Sequence, residues 1–314
     1  MNLAHVMAGV VVDGQGRILI AKRPTNAHQG GLWEFPGGKL ETGEERLQGL
    51  CRELKEELGI KVQAAHPLID IRHDYVDKSV RLDVWKVTTF SGEAHGAEGQ
   101  PVRWVLPTEL PNYDFPAANQ PIVHAAQLPE RYLITPELDE AALLHGLKQA
   151  KAQGIRLVQV RQNQLDGAVY QALASKILES YGQDFHFLFK GDTPPPLPNA
   201  GWHLTSAQLR RLWQANSHPL PRTLKGFIAA SCHNAREIQM AMDLGLDFVT
   251  LSPVASTASH PDADPLGWDA AEQLMRTATL PVYLLGGMGA EHLERARNSG
   301  AQGIGGISAL WPTL

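Results

Sequence analysis

The sequence predicts an α/β protein in two parts, a mixed α/β unit over residues 1–128 and a parallel (β/α)8 barrel over residues 131–314. Three observations lead there. A length of 314 residues suits two domains of ordinary size. A hydrophobic share of 43% against 19% charged residues describes a packed chain rather than a disordered one. From residue 131 onward short apolar runs alternate with helix-length segments, whereas the first part has no such rhythm.

In chain order, residues 6–12 and 17–21 flank Asp13-Gly14 and predict a hairpin. Residues 47–58 predict a helix with Gly59 as its stop signal. Residues 82–90 and 102–105 predict strands, and the proline-rich stretch 107–129 predicts surface connection with one short helix. The later runs are YLIT (132–135), IRLVQVR (155–161), FHFLF (185–189), GFIAAS (226–231), DFVTLS (247–252), PVYLLGG (281–287) and QGIGGIS (302–308), with WHL (202–204) as one further short strand. About eight parallel strands are enough to close a barrel, and a segment somewhat shorter than the ~200–400 residues usual for that fold requires short helices or loops.

The bulk numbers also exclude function classes. A net charge of −5 disfavours a protein that holds long nucleic acids by neutralising phosphates, but not one that binds a single nucleotide through a bridging metal. The two cysteines, Cys51 and Cys232, form no CxxC pair, which argues against a disulfide framework or zinc site and fits a reducing, cytoplasmic setting. The opening stretch has no basic leader, and no apolar segment is long enough to span a bilayer. Oligomeric state stays open.

One motif carries chemistry. The pattern G-x5-E-x7-R-E-U-x-E-E-x-G-U, with U aliphatic, is complete at Gly38, Glu44, Arg52, Glu53, Leu54, Glu56, Glu57, Gly59 and Ile60. The i, i+3, i+4 spacing of Glu53, Glu56 and Glu57 sets three carboxylates on one helix face, where like charges destabilise the empty helix. A hard divalent cation relieves that repulsion, and magnesium favours carboxylate oxygens shared with substrate phosphates. Gly37-Gly38 permits a close backbone approach and a carbonyl ligand, and Arg52 can pair with Glu44. A merely solvated charged face would not explain nine positions at fixed spacing.

This box and its flanks resemble the Nudix hydrolases of MutT type, which sanitise oxidised guanine nucleotides. The flanking matches are Arg23 and His28, the segment WEFPGGK (33–39), GAEGQ (96–100) and FPAAN (115–119). The resemblance implies an α/β/α sandwich with a mixed sheet, and magnesium, for which manganese can substitute, held by Gly37, Glu53, Glu56, Glu57 and Glu98. Catalytic roles fall to Glu53, Glu98 and Glu56, with Glu53 the first candidate for the base and Glu98 the second. The box residues Gly38, Glu44, Arg52 and Gly59 are structural. Arg23, His28, Phe35, Lys78 and Asn119 would line the nucleotide pocket; Lys78 stands where the family tends to have arginine. Each has a plainer alternative: Phe35 as core, Arg23 as surface, His28 as a loop residue, Asn119 as a turn or helix cap. Tyr75 lies near where dinucleoside-polyphosphate members carry a tyrosine. The implied reaction hydrolyses a nucleoside triphosphate to the monophosphate and pyrophosphate, with a carboxylate-oriented water attacking phosphorus in line. Asn119 has its own rationale, because oxidation at C8 turns guanine N7 into a donor while O6 remains an acceptor. A single amide can accept from the first and donate to the second.

Residues 131–314 resemble thiamine-phosphate synthase and its thiazole tautomerase relatives. The pieces are YLIT (132–135), VQVR (158–161), GWHL (201–204), SCHN (231–234), LSPV (251–254), LGGM (285–288) and ISA (307–309), in order at strand ends. The resemblance implies a phosphate near the last two strands, at Gly286, Gly287, Gly305, Gly306 and Ser308, unless those small residues serve only packing. The pattern departs at Gln162-Asn163, Lys190-Gly191-Asp192 and His260, where the groups for a diphosphate and its metal are expected. Three functions remain in play: an 8-oxo-dGTP hydrolase with a degenerate barrel, a hydrolase of thiamine-related diphosphates, and a barrel serving as ligand sensor or dimerisation scaffold.

Overall fold

The computed structural model describes residues 3–27, 29–74, 79–165, 167–215, 219–222, 224–257 and 264–312. The chain divides into two compact units, Met1–Gln127 and Leu128–Leu314.

The first unit contains two sheets. Strands β1 (Leu3–Val11), β2 (Ile18–Lys22), β3 (Trp33–Glu34) and β4 (Gly37–Lys39) lead into helix α1 (Arg46–Leu58). Strands β5 (Lys61–Asp74), β6 (Ser79–Ser91) and β7 (Val102–Val105) follow, and α2 (Gln120–Gln127) closes the unit. One sheet has the order β4-β1-β6-β5 and the other β3-β2-β7. The first is mixed, because β1 runs parallel to β6 but antiparallel to β4. Two cores form on opposite faces of β1. Met7 and Val11 pack with Leu50, Leu54 and Leu58 of α1, while Ala8 and Val10 pack with Ile122, Val123 and Ala125 of α2. This alternation is the period of a strand buried on both faces, and it makes the unit a helix–sheet–helix sandwich.

Two expectations change. The turn at Asp13 forms, with Asp13 Oδ1 accepting from the N–H groups of Gln15 and Arg17 at 2.9 Å, but a single bridge, Val12 to Ile18, joins the two strands. Beyond it β1 and β2 part into different sheets, because β6 and β4 take both edges of β1. The 14-residue strand β5 was not expected at all; it is an edge strand with mostly exposed or half-exposed positions and register shifts against β6, so its sequence lacks clean alternation.

The second unit is a closed barrel of eight parallel strands: β8 (Arg131–Ile134), β9 (Leu157–Val160), β10 (His186–Phe189), β11 (Gly201–Leu204), β12 (Ile228–Cys232), β13 (Phe248–Leu251), β14 (Val282–Leu284) and β15 (Gly303–Gly306). Tyr132, Leu157, Leu188, Ala229, Phe248 and Tyr283 fill its interior. Around it lie α3 (Glu140–Ala152), α4 (Gly167–Tyr181), α5 (Ser206–Gln214), α6 (Ala235–Asp243), α7 (Gly267–Met275) and α8 (Leu293–Asn298). The shortness of the segment is absorbed between β10 and β11, where residues 190–200 cross without a helix, and in the six-residue α8. Among the described residues no helix is long and apolar enough to cross a membrane.

Candidate active site

Helix α1 buries Leu50, Leu54 and Leu58 along one stripe, which turns Glu53, Glu56 and Glu57 to the other side. Gly59 ends the helix in the left-handed region at φ 70°, its N–H donating to Lys55 O. Two loops then converge on the acidic face. Glycines open the first: Gly37 sits at φ 147° with its N–H donating to Glu57 Oε2 at 2.6 Å. A Cβ on Gly38 would lie 2.1 Å from Glu53 Oε2, so any larger residue there would have to displace that carboxylate. The second loop is pinned to the end of α1. Ala97 N–H and the Gln100 side-chain amide both donate to Glu57 O at 2.9 Å, while Glu98 N–H donates to the Gln100 carbonyl at 3.0 Å.

The result is a crowd of carboxylates. Burial pushes the Glu57 carboxyl up to about 7, against the Gly37 N–H, and the charges of Glu34, Glu98 and Glu53 add to the rise. Arg52 is the counterweight. It donates to Glu44 at 2.9 and 3.0 Å, to Glu53 at 2.7 Å, to Glu56 at 3.2 Å and to Lys39 O at 3.0 Å, so it ties the box loop to the helix. Among the described residues no three His, Cys, Asp or Glu side chains are drawn into a closed metal-binding geometry; Glu53 and Glu56 are turned onto Arg52. The donor set nonetheless fits a hard cation, since the acids are oxygen ligands and the like charges of Glu34, Glu53 and Glu98 crowd Glu57, a repulsion that a divalent cation would relieve.

Glu34 and Gln100 were not anticipated as site residues. Glu34 pairs with Arg23, and burial raises its carboxyl despite that arginine. Its place in the 33–39 segment was the only sequence signal. Phe35 is a core residue, 4% exposed and stacked on Phe115 with ring centroids 5.3 Å apart. Asn119 ends a short 3-10 turn (Ala117–Asn119), its N–H bonded to Pro116 O. Among the described residues its side-chain amide has no hydrogen-bond partner, so it caps nothing. His28, Tyr75, Lys78 and His260 lie outside the described residues.

In the second unit, a cavity of about 1020 Å³ opens at the C-terminal ends of the barrel strands, with Gly286, Gly287, Gly305, Gly306 and Ser308 in its wall. Gly286 and Gly287 have φ of 91° and 64°, and a Cβ on either would meet backbone atoms of residues 253–256 within 3 Å. Gln162, one of the departures from the pattern expected for holding a diphosphate, is buried and donates to Thr135 Oγ1 and Pro136 O.

Residues 7–125 match the model of the NUDIX domain, and residues 131–310 match that of thiamine monophosphate synthase. The 8-oxo-dGTP diphosphatase of Escherichia coli is 36% identical over 123 residues, 39% of this chain and 95% of its own length. The chain belongs to the Nudix family. Its second unit belongs to the thiamine monophosphate synthase family, whose model covers more than half of the chain. A CTP pyrophosphohydrolase of Escherichia coli is 35% identical to the Nudix unit over 125 residues, 40% of this chain and 92% of its own length. A protein of Aquifex aeolicus provisionally named thiamine-phosphate synthase 2 is 29% identical over 186 residues, 58% of this chain and 97% of its own. The Nudix unit is therefore a pyrophosphohydrolase, and Nudix enzymes in general work with a divalent metal on small nucleotides.

Proposed function

We propose that the Nudix unit hydrolyses 8-oxo-dGTP to 8-oxo-dGMP and pyrophosphate and so removes a mispairing nucleotide from the cytoplasmic pool. The observation that carries this reading is the pairing of a crowded carboxylate cluster around Glu57 with an amide at Asn119 left free to read a base. The Gly37 carbonyl, Glu53, Glu56, Glu57 and Glu98 would hold magnesium, which when bound neutralises charge that develops on the phosphates. Glu53 would take the proton of the attacking water, with Glu98 as the alternative, and Glu56 completes the acidic face. Arg52 keeps Glu44, Glu53 and the box loop in register. Arg23, positioned by Glu34, serves the nucleotide phosphates. Phe35 contributes a wall rather than a stacking face, since Phe115 already covers its ring.

Base selectivity separates this reading from a pyrimidine nucleotide substrate, such as the name of the CTP pyrophosphohydrolase suggests for that relative. Asn119→Ala should lower the preference for 8-oxo-dGTP over dGTP by roughly 10–100-fold, the ~1–3 kcal/mol of a lost buried hydrogen-bonding partner. Competition between the two nucleotides measures it. An unchanged ratio means Asn119 does not read the base.

For the barrel we propose a small phosphorylated ligand without synthase turnover. The glycines at 286, 287, 305 and 306, with Ser308, suit a single phosphate, but the groups that would help a diphosphate depart are engaged elsewhere. Lys190 donates to Leu165 O and lies 4.8 Å over the Tyr170 ring, and Asp192 is paired with Arg211 and Gln208. A leaving diphosphate needs concentrated positive charge. Titration calorimetry on the full chain should give heat with thiamine monophosphate, while a synthase assay with both precursors stays blank; robust turnover would show these substitutions to be harmless.

A further inference from the structure

The loop over residues 93–100 is built on carbonyls that helix α1 leaves open, since the last carbonyls of a helix have no partner within it. Leu58 O accepts from His95 N–H at 3.2 Å, and Glu57 O accepts from both Ala97 N–H and Gln100 Nε2 at 2.9 Å. Gly99 N–H closes a turn onto Gly96 O at 3.0 Å, and a Cβ on Gly96 would lie 1.8 Å from Gln100 O. These backbone bonds hold the loop as a whole but leave its acid unsupported. Glu98 is exposed, and among the described residues its carboxylate has no hydrogen-bond or ion-pair partner. The next residue, Gly99, stands in the left-handed region at φ 82°, with the conformational freedom of a glycine. The direction of the carboxylate is therefore set by the Glu98 peptide, whose N–H donates to Gln100 Oε1 at 3.0 Å. One side chain thus meets two opposite demands. Glu57 O can only accept and Glu98 N–H can only donate, so the glutamine must turn Nε2 to the first and Oε1 to the second. Glu57 becomes the common anchor: its carboxylate accepts from Gly37 N–H in the first loop, and its main chain holds the second.

We propose that Gln100 is a positioning residue for the hydrolysis, a bridge that fixes the Glu98 peptide against the end of α1 so that Glu98 and Glu57 act as one set of ligands toward a divalent cation. The bridge rests on the metal and base roles proposed above for Glu98. In the plainer alternative Gln100 only caps α1, and its loss loosens the helix end. The two differ in what they act through. A bridge acts through Glu98 alone, whereas a cap acts through α1 and so through Glu53, Glu56 and Glu57 as well.

A double-variant comparison on the full chain separates them. Gln100→Met keeps the length of the side chain and removes both bonds, while the backbone bonds of the loop remain. It is set beside Glu98→Gln and the variant carrying both changes. The first readout is manganese binding, followed by loss of the free ion's paramagnetic resonance signal, which assumes nothing about the nucleotide. Gln100→Met should weaken it by roughly 10–100-fold, the usual cost of losing a group that orients a metal ligand. Once Glu98 is already glutamine, the same change should cost no more than about twofold. The second readout is turnover of 8-oxo-dGTP at saturating manganese. There kcat should fall while KM holds, because neither bond of Gln100 reaches Arg23 or Asn119. An equal loss of manganese binding in both backgrounds would assign Gln100 to the helix end and overturn the bridge, as would binding unchanged by Gln100→Met. If Glu98→Gln alone leaves manganese binding intact, the metal role of Glu98 falls, and the bridge with it. Absent turnover of 8-oxo-dGTP by the unaltered protein, with the manganese pattern as expected, overturns the substrate reading and supports the bridge.

Discussion

Glu57→Gln removes most magnesium-dependent hydrolysis while the protein stays folded. The substitution keeps the shape of the side chain and an acceptor for the Gly37 N–H, which reaches Glu57 at 2.6 Å, but deletes a charge from the acidic cluster. We expect kcat to fall on the order of 10²–10⁴-fold at saturating magnesium, the scale of losing charge neutralisation or a general base. Glu53→Gln should do the same. The stability effect has the opposite sign in the absence of metal. The Glu57 carboxyl is raised from its ordinary 4.5 to about 7 by burial and by Glu34, Glu98 and Glu53. The folded state therefore binds more protons than the unfolded one between those values, and its stability falls as pH rises through that window. Glu57→Gln lacks this loss, so with chelator at pH 8 it should withstand heat as well as or better than the unaltered protein. Near-normal turnover in both variants would sink the metal assignment, and a metal-free destabilisation at pH 8 would sink the account of the cluster.

What was readable in the sequence follows from how local each signal is. The eight barrel strands showed because strands buried on both faces are short continuous apolar runs, WHL at 202–204 included. The acidic face of α1 showed because its residues lie within one helix turn or so of each other. The parting of β1 from β2 did not, since the turn at Asp13 is local but the choice of partner belongs to β6, more than sixty residues away. Strand β5 was hidden by its polar edge. Glu34 and Gln100 reach the cluster only through folding: Gln100 donates to a carbonyl 43 positions back in the chain. The hydrogen bond between the buried Tyr132 and His203 spans 71 positions, so the histidine of the GWHL segment was visible as a candidate for acid/base chemistry but its partner was not. Phe35 shows the limit of a motif flank, whose residue type is equally apt for a core and for a pocket.

Asp83→Ala should destabilise the Nudix unit by about 2–3 kcal/mol while leaving the chemistry of the surviving folded enzyme close to normal. Asp83, on β6, is 1% exposed and is the acceptor at the centre of a charge cluster. Arg46 grips it with two nitrogens, Nη2 at 2.6 Å, His5 Nε2 lies at 3.1 Å and Trp85 Nε1 donates at 2.9 Å. Arg46 is the first residue of α1 and also lies 5.5 Å over the Trp85 ring, so the cluster anchors the start of the helix whose far end carries the acidic face. Breaking a buried pair from one side typically costs ~3–5 kcal/mol; the lower figure is expected here because Arg46 is 44% exposed and can turn to water. Burial alone would raise the Asp83 carboxyl, but the Arg46 guanidinium, with His5 and Trp85 donating, holds it below its ordinary 3.8. The stability it contributes is therefore present above about that value and is lost as pH falls through the lower, folded one. Hydrolase activity remaining after a heat challenge reports the Nudix unit alone, and the midpoint of that loss should drop by roughly 10 °C at pH 7, with the gap between variant and unaltered protein closing as pH falls below the ordinary 3.8. A gap that stays constant into acid would mean the carboxylate contributes packing rather than charge, and an unchanged midpoint would mean that α1 is held by its leucine stripe without the Arg46 clamp.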